Sequence, residues 1–299
     1  MNSAPRSLAA TLALALLAGA AAPAAEPDAM PAAATGDASP PAAAATGADG
    51  APPAGDDAAS GDAPSAVPAS AWATRERDLL ARLEANTLGP GFLALDTDDG
   101  PFLARYEPAE EAPALGALLV VPGHGMPLPA MALLEALAAE FPPARRAVLA
   151  VQLPLLARSA ERDDYAACEA IARSRVAAAL AHLQANGITE VAVLGLDDGA
   201  ALAARALGDG LGGDSITAFA TRGRWEGSVE KLGVPRLELL PGRDPLARRH
   251  ATARARAASG NDPPSRRREY PGAARDFAGY DDGIARDLRG WLHQLGDAG

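Results

Sequence analysis

The sequence predicts an α/β domain: an open, mostly parallel sheet with an N-terminal antiparallel hairpin and helices on both faces. Three observations carry that expectation. Continuous apolar runs such as Ala117-Leu-Leu-Val-Val121 and Glu190-Val-Ala-Val-Leu194 have the pattern of strands buried on both faces. Stretches of helical periodicity separate these runs. Two of the runs end in glycine turns, Pro122-Gly-His-Gly125 and Gly195-Leu-Asp-Asp-Gly199.

Each element follows in order. Residues 72–86 read as a helix, with Leu79, Leu80 and Leu83 on one face. Gly91-Phe-Leu-Ala-Leu-Asp96 and Pro101-Phe-Leu-Ala-Arg-Tyr106 flank an Asp-Gly turn and predict a hairpin. The run at 117–121 is the next strand, and residues 129–141 form a helix after it. Ala147-Val-Leu-Ala-Val151 is a strand, and residues 168–186 form a long helix that Gly187 closes. The strand at 190–194 leads through the glycine turn into a helix ending near Leu207. Ser215-Ile-Thr-Ala-Phe219 and Pro235-Arg-Leu-Glu-Leu-Leu240 are the later strands. Ile284, Leu288, Trp291, Leu292 and Leu295 mark an amphipathic last helix. Ligands of such sheets sit beyond the carboxyl ends of the strands.

The chain has 299 residues, 48% of them apolar and 22% charged, with net charge −11 and a single cysteine. Cys168 has no partner for a disulfide and reads as an ordinary buried thiol. One cysteine and four scattered histidines cannot supply a classical zinc module. The acidic balance argues against nucleic acid as a partner. No dinucleotide fingerprint and no phosphate loop occur, so no cofactor is expected.

The N-terminus has the pattern of an export signal: Arg6, an apolar run from Leu8 to Ala20, and a small-residue cleavage site at Ala22-Pro-Ala24. Residues 1–24 are therefore expected to be a signal peptide, with periplasmic export and no membrane contact after cleavage. Residues 25–70 are rich in Ala, Pro and Asp, with Met30 and Val67 as the only larger apolar side chains. Such a segment cannot bury enough surface to offset its ordering entropy and is expected to be a disordered linker. The folded domain is expected over residues 71–299.

The order hairpin, strand to His-Gly loop, strand to Gly-x-x-x-Gly turn and helix resembles the α/β-hydrolase fold. More narrowly, the chain is similar to exported bacterial α/β-hydrolase-like proteins without an established activity. Gly195-Leu196-Asp197-Asp198-Gly199 resembles the nucleophile elbow of that fold. Pro122-Gly123-His124-Gly125 resembles its oxyanion-hole loop. Leu239-Leu-Pro-Gly-Arg-Asp244 resembles the segment that delivers the triad acid. Tyr270-Pro-Gly-Ala-Ala-Arg275 resembles the segment that delivers the histidine. The resemblance thus puts Asp197 at the serine position and Arg275 at the histidine position, with Asp244 kept as the acid. Gly123, Gly125, Leu196, Asp198 and Arg275 would line the binding site.

An arginine stays protonated and cannot act as the base, and an aspartate cannot replace the serine hydroxyl. One reading is a pseudoenzyme that binds a small molecule or a protein at the sheet's carboxyl edge, with Arg275 paired to Asp244. The alternative is a hydrolase of esters, epoxides or haloalkanes that uses Asp197 as nucleophile and His124 as base. Only about a dozen residues separate the sixth and seventh strands, so no cap domain is expected. A metal held by Asp197, Asp198, Asp244 and His124 is a weaker reading, as is hydrolysis through Ser159. His182, His250 and His293 read as structural or surface residues. Nine arginines against three acids over residues 243–275 suggest a solvated helix and loop, or else a patch for an acidic partner.

Overall fold

A computed structural model describes residues 70–157, 160, 162–229, 231–257 and 263–296. The expected signal peptide, nearly all of the expected linker, and Ser159 lie outside the described residues.

Eight strands form one sheet in the order β1-β2-β4-β3-β5-β6-β7-β8. The hairpin comes first: β1 (Phe92–Thr97) pairs antiparallel with β2 (Gly100–Glu107), from Phe92 opposite Arg105 to Thr97 opposite Gly100. The pair is antiparallel at β2 to β4 (Arg146–Val151). From there β4, β3 (Gly116–Val121), β5 (Val191–Leu196), β6 (Ile216–Arg222), β7 (Arg236–Pro241) and β8 (Ser265–Tyr270) all run parallel. Every residue of β3, β5 and β7 is buried, as their apolar runs require.

Alternate side chains of the strands feed two cores. Leu119, Val121 and Val193 pack under α4 (Glu169–Ala185) and α5 (Asp198–Gly208). Leu118, Val120 and Leu194 pack under α2 (Ala132–Glu140) and α7 (Asp281–Gly296) on the other face. Fully burying one such leucine is worth about 1.5–3 kcal/mol, so these two layers supply the main stabilisation.

The first helix, α1 (Ser70–Glu84), closes over the hairpin, with Leu79 packed on Leu103 and Leu155. Its Glu76 is buried and meets Arg175 of α4 in a two-pronged pair, Nη1 to Oε1 at 3.1 Å and Nη2 to Oε2 at 2.7 Å. The Leu155 amide also donates to Glu76 Oε1 at 2.8 Å. These bonds supply the partners that a buried carboxylate needs.

Sequence and structure part over the arginine-rich stretch. The expected solvated helix is there as α6 (Pro245–Ala257), but the edge strand β8 stands where a loop was expected. Five of the six β8 residues are exposed, so no buried face marks the strand in the sequence. Charged side chains on an edge strand discourage pairing with other chains. The arginines are also held locally: Arg254 and Arg267 converge on Glu238 of β7, and Arg268 pairs with Asp287 of α7. A short α3 (Arg162–Ala166) is a helix that the periodicity did not predict. Among the described residues no helix is long and apolar enough to cross a membrane.

Candidate functional site

Parallel pairing brings the carboxyl ends of five strands together. Val121 stands opposite Gly195, Leu196 opposite Arg222, and Pro241 opposite Tyr270. The loops that leave these residues carry the site.

The turn after β5 is the tightest of them. A Cβ on Gly195 would lie 2.3 Å from Ala200 Cα, and one on Gly199 would lie 2.0 Å from the Pro122 carbonyl oxygen. Glycine is the residue that fits both places, which explains the Gly-x-x-x-Gly spacing. Between them Asp197 sits at φ 46°, ψ −123°, a conformation that costs a non-glycine residue on the order of 1–3 kcal/mol. The strained turn lifts the Asp197 side chain out of the strand direction.

Two bonds then fix it. The Asp197 amide donates to the Arg222 carbonyl at 2.9 Å, and Asp197 Oδ1 accepts the amide of Arg224 at 2.9 Å. Burial pushes the Asp197 carboxyl above its ordinary range; the Arg224 hydrogen bond and the charges of Arg275 and Arg222 oppose the rise. Gly123 of the expected oxyanion loop lies against this turn, with a Cβ there 3.5 Å from Asp197 Cβ. Leu196 is fully buried in the core beneath α2 and α7 and lines no cavity wall with Asp197.

Asp197 opens on a cleft of about 560 Å³. Its charged walls are Arg222, Arg275, Asp276 and Asp281, and Met126, Met131, Leu133 and Phe277 are among its apolar lining. Arg222 went unnoticed in the sequence, although it ends a wholly buried half-strand, Ala218 to Arg222. Its guanidinium lies 4.7 Å from the centre of the Phe277 ring. It donates to the Asp276 carbonyl and stands 3.7 Å from Asp281 Oδ1. Burial lowers the Arg222 pKa and raises that of Asp281, with their mutual attraction opposing both shifts.

The remaining expected residues are distributed differently. Asp244 follows β7, but its Oδ1 accepts the amides of Leu246 at 2.9 Å and Ala247 at 3.2 Å, so it caps α6. Its Oδ2 is buried without a hydrogen-bond partner among the described residues. The expected pair between Asp244 and Arg275 is not formed, because the carboxylate is directed at the helix and Arg275 is exposed on the cleft wall. His124 faces Asp198 and Tyr165: its Nδ1 stands 4.0 Å from Asp198 Oδ2, and its ring stacks on Tyr165 at 4.6 Å between centroids. His124, Tyr165 and Asp198 line another cavity, of about 300 Å³, to which Asp197 does not contribute. Gly125 is covered by the Tyr165 hydroxyl, 2.9 Å from where its Cβ would be.

His182 lies edge-on to Tyr106, His250 stands 3.6 Å from Glu226, and His293 is on α7. None of these three lines the Asp197 cleft. Among the described residues no group of three His, Cys, Asp or Glu side chains could hold a metal ion, so the four-ligand reading has no geometry behind it. Cys168 is buried at the start of α4, and burial raises its thiol pKa.

No family model and no curated protein matches the chain. Solved structures do. Dienelactone hydrolase from Anabaena variabilis is 16% identical with a TM-score of 0.54, over 68% of this chain and 96% of that one. Est1E from Butyrivibrio proteoclasticus is 11% identical with a TM-score of 0.54, over 69% and 98%. A soluble variant of monoglyceride lipase from Saccharomyces cerevisiae is 11% identical with a TM-score of 0.52, over 68% and 94%. The strand order, the elbow and these likenesses together establish that the domain has the α/β-hydrolase fold.

Proposed function

We propose that this is an exported protein that uses an α/β-hydrolase scaffold for binding, without triad hydrolysis. The observation that carries the reading is the state of the elbow. The position that presents the nucleophile holds Asp197, and no histidine lines its cleft. Water attack on an enzyme ester, like attack by serine, needs a base positioned within hydrogen-bond reach. His124 is oriented towards Asp198 and Tyr165, and Asp244 caps a helix instead of orienting an imidazole. The triad is degenerate in this reading, with Arg275 in place of the histidine. The bound partner is a small molecule or a protein at the carboxyl edge of the sheet, not nucleic acid. Export to the periplasm rests on the N-terminal sequence, as does kinship with exported bacterial proteins of the same fold.

The test is hydrolysis of a panel of short aryl esters, epoxides and haloalkanes by the purified chain, with Asp197→Ala and His124→Ala as controls. No turnover above buffer is expected. Turnover abolished by both substitutions would overturn the binding reading in favour of an Asp197–His124 dyad.

A further inference from the structure

We infer that the Asp197 cleft takes an amphipathic carboxylate, its anionic head between Arg222 and Arg275 and its apolar body over Met126, Ala130 and Ala132. The inference rests on the reading of this cleft as a binding site.

The two arginines differ in what they lack. Arg222 is 9% exposed at its side chain, and its Nε–H is buried with no acceptor among the described residues. Its Nη2 is committed to the Asp276 carbonyl, with Asp281 at the longer distance of 3.7 Å. A desolvated guanidinium has five donors to satisfy, and a partly paired one is costly in a protein interior. Arg275 is exposed and makes no hydrogen bond or ion pair among the described residues. Both line the same cavity.

Each carboxylate of the cleft has one oxygen engaged. Asp281 faces Arg222, Asp276 Oδ1 accepts the amide of Ala278 at 3.2 Å, and Asp197 Oδ1 accepts the amide of Arg224. Burial also disfavours the charged form of Asp197. The N-terminus of α5 begins at Asp198 on the same edge and adds a favourable dipole.

Apolar surface decides against a bare anion. Phe277, Met131 and Leu133 are buried in the lining, and the apolar surface open to a ligand is that of half-buried Met126 and exposed Ala130, Ala132, Ala274 and Ala278, so the cavity offers a hydrophobic wall beside its cations. An aliphatic or aryl body would gain about 25 cal/mol for each Å² it covers there. A planar carboxylate matches the guanidinium fork.

The experiment titrates the full chain with sodium octanoate, octylammonium, 1-octanol and inorganic phosphate, by calorimetry and by amide NMR. Octanoate is expected to saturate and to shift the amides of residues 274–278. Arg275→Gln should weaken octanoate about tenfold, equivalent to about 1.4 kcal/mol, and leave 1-octanol unchanged. Arg222→Lys, which keeps the charge but loses the fork, should weaken it as well. The inference fails if octylammonium or 1-octanol binds as tightly as octanoate, if phosphate alone does, or if Arg275→Gln has no effect. Octanoate binding that accompanies Asp197-dependent hydrolysis of p-nitrophenyl octanoate supports the head-group site and overturns only the non-catalytic reading. Binding of 1-octanol with no preference for octanoate overturns the head-group site and leaves the cleft a binding site.

Discussion

Asp197 Oδ1 and the amide nitrogen of Arg224 are 2.9 Å apart, so the end of β5 and the loop after β6 are joined through the side chain at the elbow. A serine hydroxyl at an elbow is free to attack. This carboxyl has one oxygen committed to backbone, and Gly223 is needed beside it, since a Cβ there would lie 2.5 Å from Oδ1.

Replacement of Asp197 by Asn is expected to stabilise the protein at neutral pH. The folded carboxyl titrates above its ordinary value of 3.8, so its neutral form is the one that folding favours. That contribution is complete below pH 3.8 and is lost as pH rises through the raised value. Asn keeps the acceptor for Arg224 and tolerates positive φ, but carries no charge to bury. The melting temperature should therefore rise at pH 7, by about 2–4 °C for each kcal/mol, and the difference should vanish below the ordinary value. Thermal melts of both proteins from pH 3 to pH 8 check the sign.

Gly199→Ala is expected to be among the most damaging methyl additions in the domain. Its Cβ would overlap the Pro122 carbonyl oxygen at 2.0 Å, and both partners are backbone. Neither can turn aside as a side chain would, so the cost should lie at or above the upper end of the 1–3 kcal/mol typical of overpacking, about 3 kcal/mol. Urea denaturation followed by circular dichroism measures it, and a loss under about 1 kcal/mol would contradict the packing.

Glu76→Ala should cost about 3–5 kcal/mol, because it removes the carboxylate that the buried Arg175 guanidinium meets in two bonds. The double substitution Glu76→Leu with Arg175→Met should recover most of that loss. Urea midpoints of the single and double variants form the comparison. If the single variant proved harmless, α1 would not be clamped by this pair.

Asp244→Ala should destabilise the domain by about 0.5–2 kcal/mol, the range for a lost helix cap. Hydrogen exchange of the Leu246 and Ala247 amides should speed up most, since both donate to Asp244 Oδ1. Asp244→Asn keeps that acceptor and should leave these amides protected. Uniform acceleration across the sheet would point instead to a role outside the α6 cap.

The fold and the elbow were legible in the chain itself. Strands buried on both faces must be apolar throughout, so β3, β4, β5 and the ends of β6 and β7 announce themselves without knowledge of their neighbours. Gly195 and Gly199 bracket Asp197 because a strand-to-helix turn this tight excludes a Cβ at both places, and that demand is local. Strand β8 was hidden because its side chains are solvated arginines that obey no burial period. What each site residue touches was decided only by the tertiary structure. Asp197 meets Arg224 across 27 positions and Arg222 meets Asp281 at the start of α7, while Asp244 turns to its own helix and His124 to Asp198. Residue type and spacing record which backbone conformations and which buried faces a segment requires. They do not record side-chain direction, which depends on partners that the sheet order brings alongside from distant parts of the chain.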